Sequence, residues 1–385
     1  MMQTVDILRA LVAEPTLSRH PNIALLDHVE GILRPLGVKV ERFMHESGTR
    51  GNLWATIGPD VAGGIVLSGH TDVVPVEGQA WTKDPFTLTE DDGRLYGRGT
   101  ADMKGFVASA IRAATLAATR DLRVPLHLAL SYDEEIGCMG VRPMIEALAR
   151  REIRPAACIV GEPTAMQIAI GHKGKIAARA TCHGCAGHSA LAPQALNALH
   201  LGAAFIGAMQ QRQEELRLHG AQDPAYDVPY STIHAGVMQG GTALNIVPHE
   251  AVIDFEIRNI AQDDGEEILA RLAHDAEAIA RPHRARFPQA HIGVEMVSGY
   301  PGLETDPHSR LVQFLQGLLP DAGLRKVAFG TEGGLFDTTL GLPTVVCGPG
   351  DMAQGHKPDE YITRDQLAAC DRMLAAVVEA ITVPA

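Results

Sequence analysis

Seven polar side chains in the 385-residue chain have types suited to holding metal ions and moving protons: His70, Asp72, Asp102, Glu134, Glu135, Glu162 and His356. Most lie directly after a short apolar run. IVLSGHTD carries His70 and Asp72, LHLALSYDEE carries Glu134 and Glu135 behind Asp133, CIVGEP carries Glu162, and TVVCGPGDMAQGH carries His356. A weaker run, LYGRGTAD, carries Asp102. In an open α/β sheet, ligands bind beyond the carboxyl ends of the strands, so loops as distant in sequence as 70 and 356 are expected to gather on one edge.

The residue types select the metal. Imidazoles with carboxylates and no thiolate suit zinc, cobalt or manganese; an iron–sulfur cluster needs thiolates, and calcium avoids nitrogen. Two divalent ions held through Asp102, Glu135 and Glu162 would set four positive charges against three negative ones, and a bridging hydroxide would complete neutrality. Two such ions about 3.5–4 Å apart lower the pKa of a shared water and polarise the bond it attacks. His70 and Asp72 are two apart, which in extended backbone puts both on one face, where the carboxylate can fix the imidazole tautomer. Glu135 can ligate while Glu134 acts as base, taking a proton from water and giving it to a leaving amine.

Elements that would position these groups are legible in the hydrophobic pattern. Continuous apolar runs at 64–69, 126–132 and 157–161 read as strands buried on both faces, and the Ala-rich segment 103–118 as a helix packed on them. This is α/β grammar, and it resumes near the end with a helix over 307–319, a strand over 343–347 and a helix over 363–381. Between them the pattern changes to strand (175–182), long helix (193–218), strands near 230–237 and over 251–259, helix (264–280) and a further strand (291–296). That segment reads as an antiparallel sheet with two helices on one face, an α+β domain inserted in an α/β domain with helices on both faces of a largely parallel sheet. The expected division is 1–174 and 287–385 for the α/β domain and 175–286 for the insertion, with RPHRARFPQ at 281–289 as a hinge.

Composition narrows the function classes. The formal net charge is −13, with 46% hydrophobic and 4% aromatic residues. That is globular composition, and it excludes a disordered or collagen-like chain. No basic run is present, which argues against nucleic acid or an anionic membrane as partner and leaves a cationic or zwitterionic small molecule as the compatible substrate. MMQTVDILRALVAEP reads as an amphipathic helix, with charges where a secretory core would be apolar, and no apolar stretch approaches a membrane span. Six scattered cysteines fit reduced thiols, so a cytoplasmic location is expected. GRGTAD ends in Asp where a dinucleotide loop needs its third glycine, and CHGC at 182–185 has no second half to complete a zinc knuckle. No GxSxG elbow, HExxH helix or Walker lysine occurs, so serine hydrolysis, single-zinc proteolysis of that type and nucleotide hydrolysis lose support.

Taken in order, SGHTDVVP, GRGTADMKG, DEE, GEPT and GHKPDEY resemble the dinuclear zinc metallopeptidases and deacylases that include acetylornithine deacetylase, succinyl-diaminopimelate desuccinylase, carboxypeptidase G and aminoacylase. The resemblance covers nearly the whole chain. It implies that Asp102 bridges two zinc ions, that His70 and Glu162 hold one and Glu135 and His356 the other, and that Glu134 is the acid/base with Asp72 behind His70. It also implies a catalytic domain interrupted by a lid or dimerisation domain, and hence a homodimer. In HGCAGHSA, His188 matches the lid histidine that reaches across the dimer to the oxyanion, although Ala190 stands where a second serine is common. Asn245 and Arg258 in LNIVPHEAVIDFEIRN match residues that grip a substrate carboxylate, for which the planar Arg fork is suited. Gly333 and Gly334 in FGTEGGLFD are expected to line the pocket with backbone N–H groups, and Asp337 in that stretch is expected to face a substrate ammonium. The implied reaction is removal of the acyl group from an N-acyl-L-amino acid, with N2-acetyl-L-ornithine in arginine biosynthesis the expected substrate. A desuccinylase, a broader acyl-amino-acid hydrolase or carboxypeptidase, and remotely a non-catalytic metal-binding scaffold are the alternatives.

Overall fold

A computed structural model describes residues 3–383. The chain divides into two compact units, one formed by Met1–Gly171, Leu303–Lys326 and Thr331–Ala385, the other by His172–Gly302 and Val327–Gly330.

The first unit is built on a nine-stranded sheet. Its centre is four strands in parallel: Leu126–Ser131, Ile65–His70, Ala157–Pro163 and Thr344–Gly348. Every residue of these four strands is buried, which is why they are predominantly apolar and do not alternate. Antiparallel strands extend the sheet on both sides, Gly51–Ile57 and then Lys39–Met44 beyond Leu126–Ser131, and Ile168–His172 beyond Thr344–Gly348. The helix Gly105–Ala117 packs against this sheet and against the terminal helix Arg364–Ile381. It approaches so closely that a Cβ on Gly161 would lie 1.8 Å from the Phe106 ring, so only glycine fits there.

The second unit has a four-stranded antiparallel sheet in the order Thr232–Gly240, Glu250–Asn259, Gly174–His183, His291–Tyr300. Burial alternates along Gly174–His183 and Glu250–Asn259, so one face is covered and the other open. The helices Ala198–His219 and Gly265–Ala280 pack on this sheet over a core that includes Phe205, Phe255, Ile253 and Leu272. Asn197 and Asp264 cap their first turns through side-chain oxygens.

Two expectations need correction. The second unit does not close at 286, because His291–Tyr300 pairs along the length of Gly174–His183 and completes its sheet. The 281–289 stretch is not a hinge between the units. It lies inside the second, where Arg281–His283 forms a turn after the helix and Arg284 binds Glu277 at 2.6 and 2.7 Å and the Ala290 carbonyl at 2.9 Å. Proline and arginine density there marks a helix end that is tied down.

Candidate metal centre and active site

The loops leaving the carboxyl ends of the parallel strands converge as the strand-end argument requires. His70 is the last residue of Ile65–His70, Glu162 lies near the end of Ala157–Pro163, Glu134 and Glu135 follow Leu126–Ser131, and His356 follows Thr344–Gly348. Asp102 arrives differently. The short strand Arg94–Tyr96 before it belongs to a separate three-stranded sheet, and Asp102 sits in the tight turn Thr100–Lys104 that opens the helix Gly105–Ala117. Its placement is enforced by Glu360, whose buried carboxylate accepts from the Ala101 and Asp102 backbone N–H groups at 2.9 and 3.1 Å and is itself held by Arg98 at 2.7 Å.

Two groups of donors result, His70, Asp102 and Glu162 in one and Asp102, Glu135 and His356 in the other, with the ligand atoms of each within 4.8 Å of one another. Asp102 belongs to both through different oxygens. Its Oδ1 faces His70 Nε2 at 3.0 Å and its Oδ2 faces His356 Nε2 at 3.1 Å, while Glu162 Oε1 stands 3.5 Å from His70 Nε2 and Glu135 Oε1 3.1 Å from His356 Nε2. The tautomer of His70 tests whether a cation fits. Its Nδ1 lies 2.9 Å from the Asp72 carbonyl, which can only accept, so Nδ1 carries the hydrogen and Nε2 presents a lone pair to two carboxylate oxygens. That confrontation is resolved only by a proton or a metal ion between them, and the donor set suits a divalent ion of the zinc type.

Charges in the cluster point the same way. Burial pushes the Glu134 carboxyl up to about 8, with Glu135, Asp72 and Glu332 adding to it against the pull of His70. Glu135 is pushed up to about 7 by burial and by Asp102, and Glu162 is raised well above the usual range by burial and by Asp102. Asp102 is held below the usual range because the imidazoles of His356 and His70 outweigh its burial. His356 is raised to about 10 by its hydrogen bonds to Asp102 and Glu135. Buried carboxylates repelling one another are a site short of positive charge.

Asp72 departs from its expected role. Its backbone carbonyl, not its carboxylate, fixes the His70 tautomer; the nearer carboxylate oxygen is 3.6 Å from Nδ1. The carboxylate instead accepts from the backbone N–H of Glu134 at 3.0 Å and of Glu135 at 3.3 Å, and from Ser18 Oγ at 2.7 Å. Asp72 thus joins the His70 strand to the Glu134–Glu135 loop. Strain collects here too, since Asp133, Cys138 and His356 all have φ between 53° and 60°, uncommon for residues with a Cβ.

Other expected residues fall as follows. Gly333 and Gly334 open the buried first turn of the helix Gly333–Leu340, but the Gly333 N–H donates to Thr331 Oγ1 at 2.9 Å and does not face outward. Asp337 lies half-buried on the same helix, its carboxyl raised by burial. In the second unit, His188 pairs with Ile246 where Gly187–His188 meets Ile246–Val247, and Asn245, just before that strand, accepts at its carbonyl from the Ser189 N–H at 3.0 Å. His188 is exposed, and its Nδ1 accepts from the Ala190 N–H at 3.1 Å, so the backbone supplies a contact that needs no serine. With Nδ1 accepting, the neutral ring carries its hydrogen on Nε2. Arg258 sits on Glu250–Asn259 beside Glu256 and Tyr300.

Sequence reasoning missed Glu332, Arg98 and Glu360. Glu332 is 1% exposed and accepts from Ser68 Oγ at 2.5 Å and Ser131 Oγ at 2.7 Å, tying two parallel strands together. All three lie inside or beside stretches already noted, FGTEGG, GRGTAD and GHKPDEY, but a charged residue among glycines carries no sign of the partner it will meet.

The chain belongs to peptidase family M20/M25/M40, whose model matches residues 66–380. The acetylornithine deacetylase of Shigella sonnei (strain Ss046) is 36% identical over 366 residues, 93% of this chain and 92% of the relative. The acetylornithine deacetylase of Klebsiella pneumoniae (strain 342) is 34% identical over 381 residues, 97% of this chain and 96% of the relative. Among solved structures, an M20 family metallo-carboxypeptidase from Sulfolobus solfataricus superposes with a TM-score of 0.79 at 19% identity, covering 98% of this chain and 99% of that one. Aminopeptidase PepT from Bacillus cereus ATCC 10987 superposes with a TM-score of 0.77 at 21% identity, covering 98% of each chain. The protein is a metal-dependent amidohydrolase with the M20 fold.

Proposed function

We propose that this enzyme removes the acetyl group from N2-acetyl-L-ornithine, giving acetate and L-ornithine in arginine biosynthesis. The observation that carries the reading is the shared carboxylate, Asp102, between two three-residue donor groups, with Glu134 next in the chain to one of their members. His70, Asp102 and Glu162 would hold one zinc ion and Asp102, Glu135 and His356 the other, with cobalt or manganese as substitutes. When bound, the ions supply Lewis acidity, which makes a water easier to deprotonate and an amide carbonyl easier to attack.

The chain's own groups do the rest. Glu134 takes a proton from the attacking water as its oxygen bonds to the acyl carbon, then passes that proton to the amine nitrogen as the C–N bond breaks. Asp72 holds the Glu134 backbone in register with His70. His188, with its hydrogen on Nε2, donates to the oxyanion; we assign it to act from the second copy in a homodimer formed through the lid unit. Arg258 and Asn245 take the substrate carboxylate, Arg258 by a two-pronged contact.

The test is kcat/KM for N2-acetyl-L-ornithine, N-succinyl-diaminopimelate and simple N-acetyl-amino acids after loading with zinc or cobalt. A preference for acetylornithine supports the reading. A preference for the succinyl substrate makes the enzyme a desuccinylase, and equal rates make it a broad acyl-amino-acid hydrolase.

A further inference from the structure

Tyr300 lies on the open face of the lid sheet because of a backbone irregularity. Along His291–Tyr300 the register with Gly174–His183 runs without interruption from His291 to Met296, then skips Val297 and resumes at Ser298. Successive residues of a strand point to opposite faces, so one extra residue reverses the facing of all that follow. Tyr300 is thereby placed opposite Lys175, which on its other side is opposite Arg258. Arg258, Lys175 and Tyr300 form one row across three strands on the face that the helices do not cover.

Side chains in this row are joined. The Arg258 guanidinium gives Nε and Nη2 to the Glu256 carboxylate at 3.1 and 3.3 Å, and Nη1 to the Tyr300 hydroxyl at 3.0 Å. Lys175 Nζ stands 3.5 Å from the same Glu256. A guanidinium has five N–H groups, so two remain, one on each terminal nitrogen, as a fork for a carboxylate. The ring is in turn held by the backbone of Gly330, where a Cβ would lie 2.1 Å from Tyr300 Cε2 and 2.2 Å from its hydroxyl. Gly330 therefore admits the ring where any larger residue would displace it.

We infer that Tyr300 is a positioning residue for substrate specificity: its hydroxyl, seated on Gly330, aims the Arg258 fork at the free carboxylate of the substrate. This rests on the reading that Arg258 binds that carboxylate. It leaves the chemistry at the metal centre untouched, so removing the hydroxyl should act on KM and not on kcat, and only for substrates that carry the charge.

The experiment compares N2-acetyl-L-ornithine with its α-carboxamide on zinc-loaded wild type, Tyr300→Phe, Gly330→Ala and Arg258→Ala enzymes, with thermal unfolding recorded for each. Tyr300→Phe is expected to raise KM for the carboxylate roughly tenfold, to leave kcat within about twofold, and to leave the carboxamide unaffected. Gly330→Ala, which keeps the hydroxyl but displaces the ring, should give the same carboxylate-selective change. An unchanged KM in both variants, or an equal loss on both substrates, overturns the inference. If Arg258→Ala loses its preference for the carboxylate while the other two variants keep it, the inference alone fails. If Arg258→Ala keeps that preference, the Arg258 assignment fails and the inference falls with it.

Discussion

The two units differ in how deeply they bury their polar groups, although His356 of the first is itself exposed. In the α/β unit, His70, Asp102 and Glu162 are at most 4% exposed and sit where parallel strands end, with backbone and side chains held by further buried groups. In the second unit, His188 is exposed, and Arg258 and Asn245 stand on a sheet face or loop within reach of solvent. Burial strengthens electrostatic interactions and fixes geometry, but it also concentrates like charge that must be neutralised. Exposed groups are nearly free of that penalty and gain strength only when a substrate displaces water around them. The contrast separates a buried cluster whose geometry is fixed in advance from side chains that, on the proposed reading, would gain their strength only with substrate bound.

The largest expected effect comes from breaking the buried side. Glu134→Gln should lower kcat about a thousandfold, within the range for loss of a general acid/base. Metal content measured by atomic emission should stay at the wild-type value, and loss of metal together with rate would instead make Glu134 a ligand. Next comes stability. In chelated protein, Glu134 and Glu135 have folded-state values of about 8 and about 7, above the ordinary 4.5. Groups so raised contribute stability that is present below 4.5 and lost as pH rises through the folded value. His356, raised to about 10, acts in the same direction above 6.5, but it is half-exposed and screened by solvent, so it adds little to the figure. Chelated enzyme should therefore lose about 3 kcal/mol or more between pH 5 and pH 8, read by urea unfolding, whereas metal-loaded enzyme should not; parallel curves would mean that the repulsion is not felt. The smallest effect belongs to the exposed side. His188→Ala should lower kcat by about 10- to 100-fold with the thermal midpoint unchanged, and a shifted midpoint would show that His188 is structural.

Local pattern carried a good part of this architecture. Continuous apolar runs identified Ile65–His70, Leu126–Ser131 and Ala157–Pro163 as buried strands, and 175–182 and 251–259 were legible as strands, whereas their half-open burial shows only in the structure. Boundaries were less legible. Segment 193–218 looked helical throughout, yet its first residues form the irregular turn Ser189–Gln194 and the helix begins at Ala198, where Asn197 caps it. Strand membership was less legible still: nothing within 291–300 tells that it pairs with 174–183, because pairing partners are chosen by contacts that local periodicity does not encode.

Within the site, residue type and position after a strand nominated His70, Glu135, Glu162 and His356, whereas Asp102 comes from a turn after a strand of a different sheet. They could not say which atom each would use. That Asp72 works through its carbonyl on His70 and its carboxylate on the Glu134–Glu135 loop, that Asp102 divides its two oxygens between two imidazoles, and that Glu360 and Glu332 brace the cluster depend on separations of up to 264 residues being closed by the fold. Sequence by itself determined the chemistry on offer and the edge of the sheet where it would be found, since both follow from side-chain type and from periodicities of a few residues. Tertiary structure alone decided facing and partnership, because a single extra residue at Val297 turns Tyr300 toward Arg258, and a hydrogen bond is set by fractions of an ångström across strands that meet only when the chain has folded.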